Sequence, residues 1–166
     1  MQQTGPAVRL ANATDIPSLV EFRLTNAEAH VALDPAVYRV PPRDVVARHF
    51  AAVLAEGAGR DDAVLVAETS DGRLVGMVEV LRHPDPPEHQ ILRAEPSAAV
   101  HTVVLADARG LGTGSALLEA ARRWATDRGI RYLSAGIHHR NSGAVRFYRR
   151  HGFADAGLSL GRRLVG

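Results

Sequence analysis

Hydrophobic and polar positions follow two rhythms along the chain, and each change of rhythm marks the boundary of a predicted element. Residues 8–10 alternate and predict a short strand, whereas residues 16–30 carry apolar side chains at helical spacing. Thr14 or Asp15 is the expected cap of this helix, because a short polar side chain can accept a backbone N–H there. Pro17 is tolerated in a first helical turn, so a strand followed by a helix is predicted.

The middle of the chain combines a second helix, a hairpin and a further strand. Residues 43–59 repeat the helical spacing and end in glycines, which predicts a helix with a glycine stop. Two runs rich in β-branched residues meet at Asp71-Gly72, a dipeptide typical of tight hairpin turns. Four prolines in residues 83–97 indicate a long loop, and residues 98–106 predict a strand.

The last third of the chain changes rhythm abruptly. Three glycines at every second position precede a predicted helix over residues 113–128, which Gly129 closes. Residues 131–139 alternate and predict a strand, and residues 141–153 predict a short helix capped by Asn141. The tail that follows has room for one or two weak strands.

These elements follow the order β-α-α-β-β-β-α-β-α-β. A hairpin region joined to one βαβ unit predicts an α/β fold whose sheet is mixed rather than fully parallel. The 166 residues show no internal repeat, linker or low-complexity tract, so we expect one domain over residues 1–166.

The amino-acid composition excludes several kinds of site, because two residue types are missing from the chain. The chain has no cysteine, which excludes disulfides, zinc thiolates and cysteine nucleophiles. All 20 basic residues are arginine, which excludes P-loop lysines and lysine Schiff bases. A net charge of +2 gives no nucleic-acid signal. Neither a membrane-length apolar run nor a signal-peptide pattern occurs, so a cytoplasmic location is expected.

The glycines before the third helix have the general form of an anion site, because backbone N–H groups at a helix start have no internal partner. A P-loop would need a lysine, and a dinucleotide fingerprint that starts at Gly110 would need glycine at Ser115. A third pattern, R-x-x-G-x-G, is met by Arg109, Gly112 and Gly114. A glycine turn that only packs a helix on a sheet is the alternative.

This segment resembles the acetyl-CoA-binding motif of the GNAT N-acetyltransferase superfamily, Q/R-x-x-G-x-G/A. Residues 141–153 resemble the N-x-x-A-x-x-x-Y-x-x-x-G-F helix of the same superfamily, matched by Asn141, Ala144, Tyr148, Gly152 and Phe153. The element order agrees too. The resemblance implies a mixed, mostly antiparallel sheet of about six to seven strands flanked by about four helices. Ala106 departs from the proline that is frequent at that position.

The resemblance also implies a cofactor site for acetyl-CoA, used as a co-substrate. The strand before the loop would present backbone groups to the pantetheine arm, and the loop would bind the pyrophosphate. The expected cofactor-binding residues are Thr102, Val103, Val104, Arg109, Gly110, Leu111, Gly112, Thr113, Gly114, Ser115 and Asn141.

Acetyl transfer from a thioester to an amine needs a donor to the oxyanion and a proton for the departing thiolate. Tyr148 follows Asn141 by seven residues, the spacing of the superfamily's general acid. An unperturbed tyrosine has a pKa of about 10 and is protonated at neutral pH. The resemblance therefore implies Tyr148 as the acid; a core tyrosine beside Phe147 is the alternative.

The general base cannot be taken from the superfamily. The positions that hold a glutamate in some members correspond to Ala98 or Val100 and to Gly136, and none of these side chains accepts a proton. Alternation along the predicted strand places His138 on the face of Ser134 and Gly136. His138, with an unperturbed pKa of about 6.5, is therefore a candidate base.

Two rivals to His138 stay open. Glu79 is a carboxylate inside an otherwise apolar run, and a water molecule could take the proton instead. His101 is weaker, because it has the opposite parity to the superfamily's positions. His138 and His139 would point to opposite faces of a strand, so we expect no metal site.

The acceptor is expected to bind at the first two helices, the loop between them and the strand edges. Carboxylates there could attract a cationic amine, although solvated loop carboxylates are the commoner case: Glu28, Asp34, Asp85, Glu88 and Glu95. A polyamine, an aminoglycoside, an amino acid and a peptide N-terminus all stay open.

The sequence thus predicts an acetyl-CoA-dependent N-acetyltransferase that acts on a primary amine by direct attack. The expected partner is a small-molecule or peptide amine, without nucleic acid or membrane, and a homodimer is compatible with the sequence. The alternatives are a non-catalytic acyl-CoA-binding or regulatory domain and a transferase of another acyl-CoA.

Overall fold

The computed structural model describes residues 5–55 and 62–164. It consists of two compact units, Met1–Gly136 and Ile137–Gly166, which are described in turn. One domain over the whole chain stays a prediction. The glycine stop predicted for the second helix lies outside the described residues. Within the described ranges, no helix is long and apolar enough to cross a membrane.

The first unit is built on a five-stranded mixed sheet in the order β1-β2-β3-β4-β5. Each strand from β1 to β4 runs antiparallel to the next, and β5 is parallel to β4. The strands are β1 (Ala7–Leu10), β2 (Ala63–Glu68), β3 (Leu74–Arg82), β4 (Ser97–Val104) and β5 (Tyr132–Ser134). The predicted mixed α/β class is confirmed, with five strands rather than six or seven, since the described tail forms none.

The four helices are α1 (Ile16–Leu33), α2 (Arg43–Ala55), α3 (Thr113–Asp127) and, in the second unit, α4 (Ser142–Arg150). Asp15, one of the two expected caps, is the N-cap residue of α1, but its side chain makes no cap hydrogen bond within α1. Asn12 caps a single 3-10 turn that leads into α1, and its side chain accepts the N–H of Thr14 at 2.9 Å. Asp15 Oδ2 accepts the N–H of Asn12 in return, at 2.8 Å. The cap lies one turn early because these two residues form a reciprocal capping box.

The sheet of the first unit carries helices on both faces. One face packs against α1 and α2 in an apolar cluster made of Leu19, Val20, Phe22, Val46, Phe50, Val64, Val66, Met77 and Val103. On the other face, α3 contributes Leu117, Ala121 and Trp124 to the core.

Gly76 of β3 lets α3 approach this second face closely. A Cβ atom at Gly76 would lie 2.7 Å from the carbonyl oxygen of Val103 and 3.1 Å from Cδ1 of Leu117. Real Cβ atoms do not occupy such space, so a larger residue must displace the neighbouring strand or the helix. Gly76 therefore sets the packing distance between α3 and the sheet.

The strand predicted over residues 131–139 is shorter than its pattern suggests. β5 pairs with β4 only from Ser97↔Tyr132 to Ala99↔Ser134. Beyond Ser134 the ladder ends, and the alternating residues have no neighbouring strand. The placement of His138 on this strand is therefore wrong, because alternation alone does not extend a strand that has lost its partner.

Candidate active site

The loop between β4 and α3 has a backbone that only glycine adopts readily. Gly110 and Gly112 have φ angles of +75° and +80°, in the left-handed region. A Cβ atom at either position would meet nothing within 4 Å, so the requirement is conformational rather than steric. The glycines let the chain turn sharply from strand to helix.

The N-terminus of α3 is the positive end of the helix dipole, and no side chain caps it. Gly112 is the N-cap and offers no side chain, and the first helical turn has no acidic residue. The first helical hydrogen bond runs from Ala116 N–H to the Gly112 carbonyl, at 2.9 Å, so the preceding amides have no carbonyl within the helix. Helix dipole and backbone amides together suit a phosphate or another anion.

Polar side chains around the loop are held by other contacts. Arg109 Nε donates to the carbonyl oxygen of Val104 at 3.2 Å, which ties the loop to the end of β4. Asp107, the acidic residue nearest to the loop, forms an ion pair with Arg73 at 2.7 Å. Its charge is therefore balanced by a guanidinium.

β4 loses its parallel neighbour halfway along. The β4–β5 ladder ends at Ala99, and the second half of β4 continues toward the loop in its ladder with β3. Thr102, Val103 and Val104, the residues expected to meet the pantetheine arm, lie in this second half. Their role in binding the cofactor stays a prediction.

Glu79 of β3 is buried, and its charge is paired. The residue is 3% exposed, and both carboxylate oxygens accept hydrogen bonds from Nη2 of Arg23 on α1, each at 2.7 Å. The Arg23 guanidinium also lies 5.5 Å from the centre of the Phe50 ring. No sequence pattern pointed directly to Arg23. A carboxylate in an apolar run was the indirect sign that a cation must face it.

His101 lies directly opposite Glu79 in the β3–β4 ladder, so both side chains project from the same face of the sheet. Glu79 is covered by α1, whereas His101 is exposed. Ala98 and Val100 point to the opposite, buried face. The predicted opposite parity of His101 and of Ala98 and Val100 is thus confirmed, but parity did not show that the face of His101 is the accessible one.

The second unit contains the two residues of the second motif. Asn141 caps α4 by accepting the N–H of Ala144 at 3.2 Å. Tyr148 is 7% exposed, and its ring makes edge contacts with Phe147 and Phe153, both with ring centres 5.1 Å away. The cap role is thus present, and the ring is packed in an aromatic cluster that fixes its direction.

His138 lies in the irregular segment that precedes α4. Its Nδ1 accepts the N–H of Arg140 at 3.2 Å, so the neutral ring carries its proton on Nε2. Its ring centre is 4.4 Å from that of His139, so the prediction that the two rings point to opposite faces is wrong. Within the ranges described, no group of three or more His, Asp or Glu side chains is arranged to hold a metal ion.

The candidate residues fall into two groups. Glu79, the second half of β4 and the glycine loop (Arg109–Ser115) belong to the first unit, where β4 leads directly into the loop. Asn141, His138 and Tyr148 belong to the second.

A cleft of about 700 Å³ lies at the other end of β4. Its lining includes His83, Asp85, Glu95 and Ser97, from the loop that was expected to contact the acceptor. Ser97 precedes Thr102 by five residues, about 16 Å along a strand. The cleft is therefore separate from the second half of β4.

Comparisons with known proteins agree on one family. A profile of the acetyltransferase (GNAT) family matches residues 29–153. A protein of Bacillus subtilis (strain 168), named "Putative phosphinothricin acetyltransferase YwnH", is 45% identical over 53 residues, 32% of each chain. The chain thus matches about a third of that protein's length.

Solved structures share the fold. The tetramutant of the BH1408 protein from Bacillus halodurans matches with a TM-score of 0.78 at 20% identity, over 95% of this chain and 99% of that one. A protein from Agrobacterium tumefaciens str. C58, named "Putative acetyltransferase", matches with a TM-score of 0.68 at 23% identity, over 95% of this chain and 99% of that one. AAC(6')-Iy, solved with a bisubstrate analogue of CoA and acetylneamine, matches with 0.72 at 20% identity, over 98% and 100%.

Proposed function

Because the chain belongs to the acetyltransferase (GNAT) family, we propose that it transfers the acetyl group of acetyl-CoA to a primary amine. The amine attacks the thioester carbon directly, the C–N bond forms, and the C–S bond breaks. The departing sulfur receives a proton from Tyr148, and the proton of the amine passes to water. The absence of cysteine is compatible with this path, since no acyl-enzyme is needed.

The observation that carries the proposal is the open N-terminus of α3. Two left-handed glycines and a first turn without acidic residues leave backbone amides available to a pyrophosphate. The strand that leads into this loop has lost its parallel neighbour, which leaves an edge where an extended pantetheine arm can bind. Family membership supplies the ligand that fits both features.

The cofactor site is tested by Gly112→Asp with Gly129→Asp as a matched control. Both glycines have positive φ and open space around the missing Cβ, so both variants carry the same strain and charge. They lie at opposite ends of α3. Calorimetry should show CoA binding weakened about tenfold or more by Gly112→Asp, because a carboxylate repels the phosphates. Equal affinity in the two variants would place the cofactor elsewhere.

The acid is tested by Tyr148→Phe. This change removes only the hydroxyl and keeps the aromatic packing with Phe147 and Phe153, so the fold should persist. We expect kcat to fall about 10²- to 10⁴-fold with nearly unchanged CoA affinity, because protonation of the leaving thiolate is lost. Single-turnover rates measure the chemical step. An unchanged single-turnover rate would assign Tyr148 to the core alone.

The contacts of Glu79 and His138 favour water as the general base. Both oxygens of Glu79 are bonded to Arg23, and Nδ1 of His138 accepts the N–H of Arg140. Glu79→Gln and His138→Gln should therefore keep the acidic limb of the kcat/KM profile at the wild-type pH. Loss of that limb in one variant would identify its residue as the base instead.

The amine specificity is tested by thiol release from acetyl-CoA across an amine library. Release that depends on an amine supports the transferase. CoA binding without release for any amine would favour a non-catalytic acyl-CoA-binding domain.

A further inference from the structure

The stability of the fold alone does not explain the ion pair between Arg23 and Glu79. Glu79 lies in an apolar run of β3, and an apolar side chain there would fill the same space without the cost of burying a charge. A buried ion pair is thus weak evidence for stability. Its effect in the structure is to hold a guanidinium in one place, since Nη2 is bonded to both carboxylate oxygens.

The remaining edge of this guanidinium is open. Arg23 makes no hydrogen bond through Nε or Nη1 to any residue of the described ranges, and its side chain is 30% exposed. In the same part of the chain, no buried side-chain nitrogen or oxygen lacks a partner. The unbonded nitrogens of Arg23 are therefore in contact with solvent, where a ligand can reach them.

Arg9 shows what a guanidinium in this chain does with two carboxylates. Its Nη1 and Nη2 donate to Asp15 at 2.8 and 3.0 Å, and its Nε donates to Glu68 at 2.7 Å. One arginine thus binds two carboxylates through different edges. Arg23 has the first carboxylate, Glu79, and none of the residues that the structure describes supplies a second one.

Arg23 lies on α1, one of the two helices expected to contact the acceptor. Glu79 is directly opposite His101, whose side chain is exposed on the same face, and Thr102 follows His101 along β4. Neighbouring strands are only about 5 Å apart, so Arg23 is held near the half of β4 where the pantetheine arm is expected to bind.

We propose that Arg23 binds a carboxylate of the acceptor, so that the acceptor is a small amino acid-like amine rather than a polyamine. This inference rests on the proposed acetyltransferase function and names the substrate class of that site. Glu79 acts as a positioning residue for Arg23. A polycationic amine has no group that can accept a hydrogen bond from the open Nε–H and Nη1–H of Arg23, whereas a carboxylate beside the amine forms a charge-assisted hydrogen bond there.

The experiment compares each of the twenty amino acids with its α-amide and its decarboxylated amine, using thiol release from acetyl-CoA. We expect the best acid to exceed its two analogues in kcat/KM by about 10- to 100-fold, the range for hydrogen bonds to charged groups. An α-amino group beside an uncharged amide titrates at about pH 8, so the amide supplies more free amine. A preference for the acid therefore reports anion binding.

The variant is the double change Arg23→Met with Glu79→Gln, which removes both charges together and leaves no unpaired carboxylate in the core. The ratio of kcat/KM for acid over amide should fall to one or below, through a higher KM for the acid. Arg48→Met removes an exposed arginine paired with Asp44 and should keep the wild-type ratio. An unchanged ratio in the double variant overturns the inference.

A second measurement does not depend on activity. Nitrogen-15 NMR spectra of the arginine Nε–H groups are recorded with CoA present while N-acetylglycine or N-acetylglycinamide is added. The signal of Arg23 is assigned as the one that disappears in Arg23→Lys. We expect N-acetylglycine alone to shift it. If neither compound shifts the signal, the inference fails. If no amine releases thiol, the proposed acetyltransferase function fails. If amines that lack a carboxylate are acetylated and the acid-to-amide ratio of kcat/KM is below one, only the carboxylate site is refuted.

Discussion

Asp15 shows how a single residue connects two parts of the first unit. It is 5% exposed, accepts two hydrogen bonds from Arg9 of β1, and closes the capping box at the start of α1. The Arg9 guanidinium holds the pKa of the Asp15 carboxyl below its ordinary value, against the opposing effect of burial. A lowered pKa means that the ionised Asp15 carboxylate is more stable in the folded state than in the unfolded state.

Asp15→Asn should therefore lower the free energy of unfolding by about 1–3 kcal/mol at pH 7. The contribution of the carboxylate is complete above its unfolded pKa of about 4 and disappears as the pH falls through the lower folded pKa. Urea unfolding at pH 7, 5, 4 and 3 should show a constant difference that then shrinks. Asp44→Asn, in an exposed pair with Arg48, is the control and should change stability little. A difference that persists undiminished at pH 3 would exclude ionisation as its origin.

Local pattern predicted some site residues well and could not predict others. The left-handed glycines and the cap role of Asn141 follow from short-range backbone chemistry, which a sequence window contains. Arg23 contacts Glu79 across 56 residues, and nothing in either neighbourhood specifies that contact. The buried carboxylate of Glu79 indicated that a cationic partner exists, but it did not indicate which arginine provides it.

At the scale of elements, the sequence predicted the strands and helices better than their ends. β5 ends at Ser134, where its ladder with β4 stops at Ala99, although β4 itself continues to Val104. His138 was assigned to a face of that strand by extending the alternation, and this failed because the ladder stops four residues earlier. Helix ends with local signals were predicted more closely, since Gly129 with φ of +72° directly follows α3 and its C-cap.

The packing of α3 on β3 gives an element-scale prediction. Gly76→Ala should reduce the free energy of unfolding by about 1–3 kcal/mol, because the new Cβ meets the backbone carbonyl of Val103, which cannot rotate away. Gly136→Ala is the matched control, since a Cβ there has nothing within 4 Å. Chemical denaturation measures both. Equal stability of the two variants would show that β4 shifts without cost.

At the scale of the whole molecule, the order of elements was predictable because each carries its own periodicity and stop signals. The mixed sheet followed from a hairpin region beside one βαβ unit, and the structure confirms it. The number of strands did not follow, since alternating tail residues such as Leu158 and Leu160 form a strand only if another strand accepts them. In the described tail both are largely exposed, and neither lies in a strand.

The ion pairs of this protein have a further consequence for its chemistry. Each pair described above joins a carboxylate to an arginine, and the chain has no lysine. Guanidinium groups keep their protons far above neutral pH and do not attack thioesters as free amines do. A protein that handles an activated acetyl group thus exposes no side-chain amine to self-modification. Incubated with radiolabelled acetyl-CoA but no acceptor, its side chains should stay unlabelled, so that amide-bound label in a complete reaction belongs either to the acceptor or to the α-amino group of the chain, which a blank without acceptor measures.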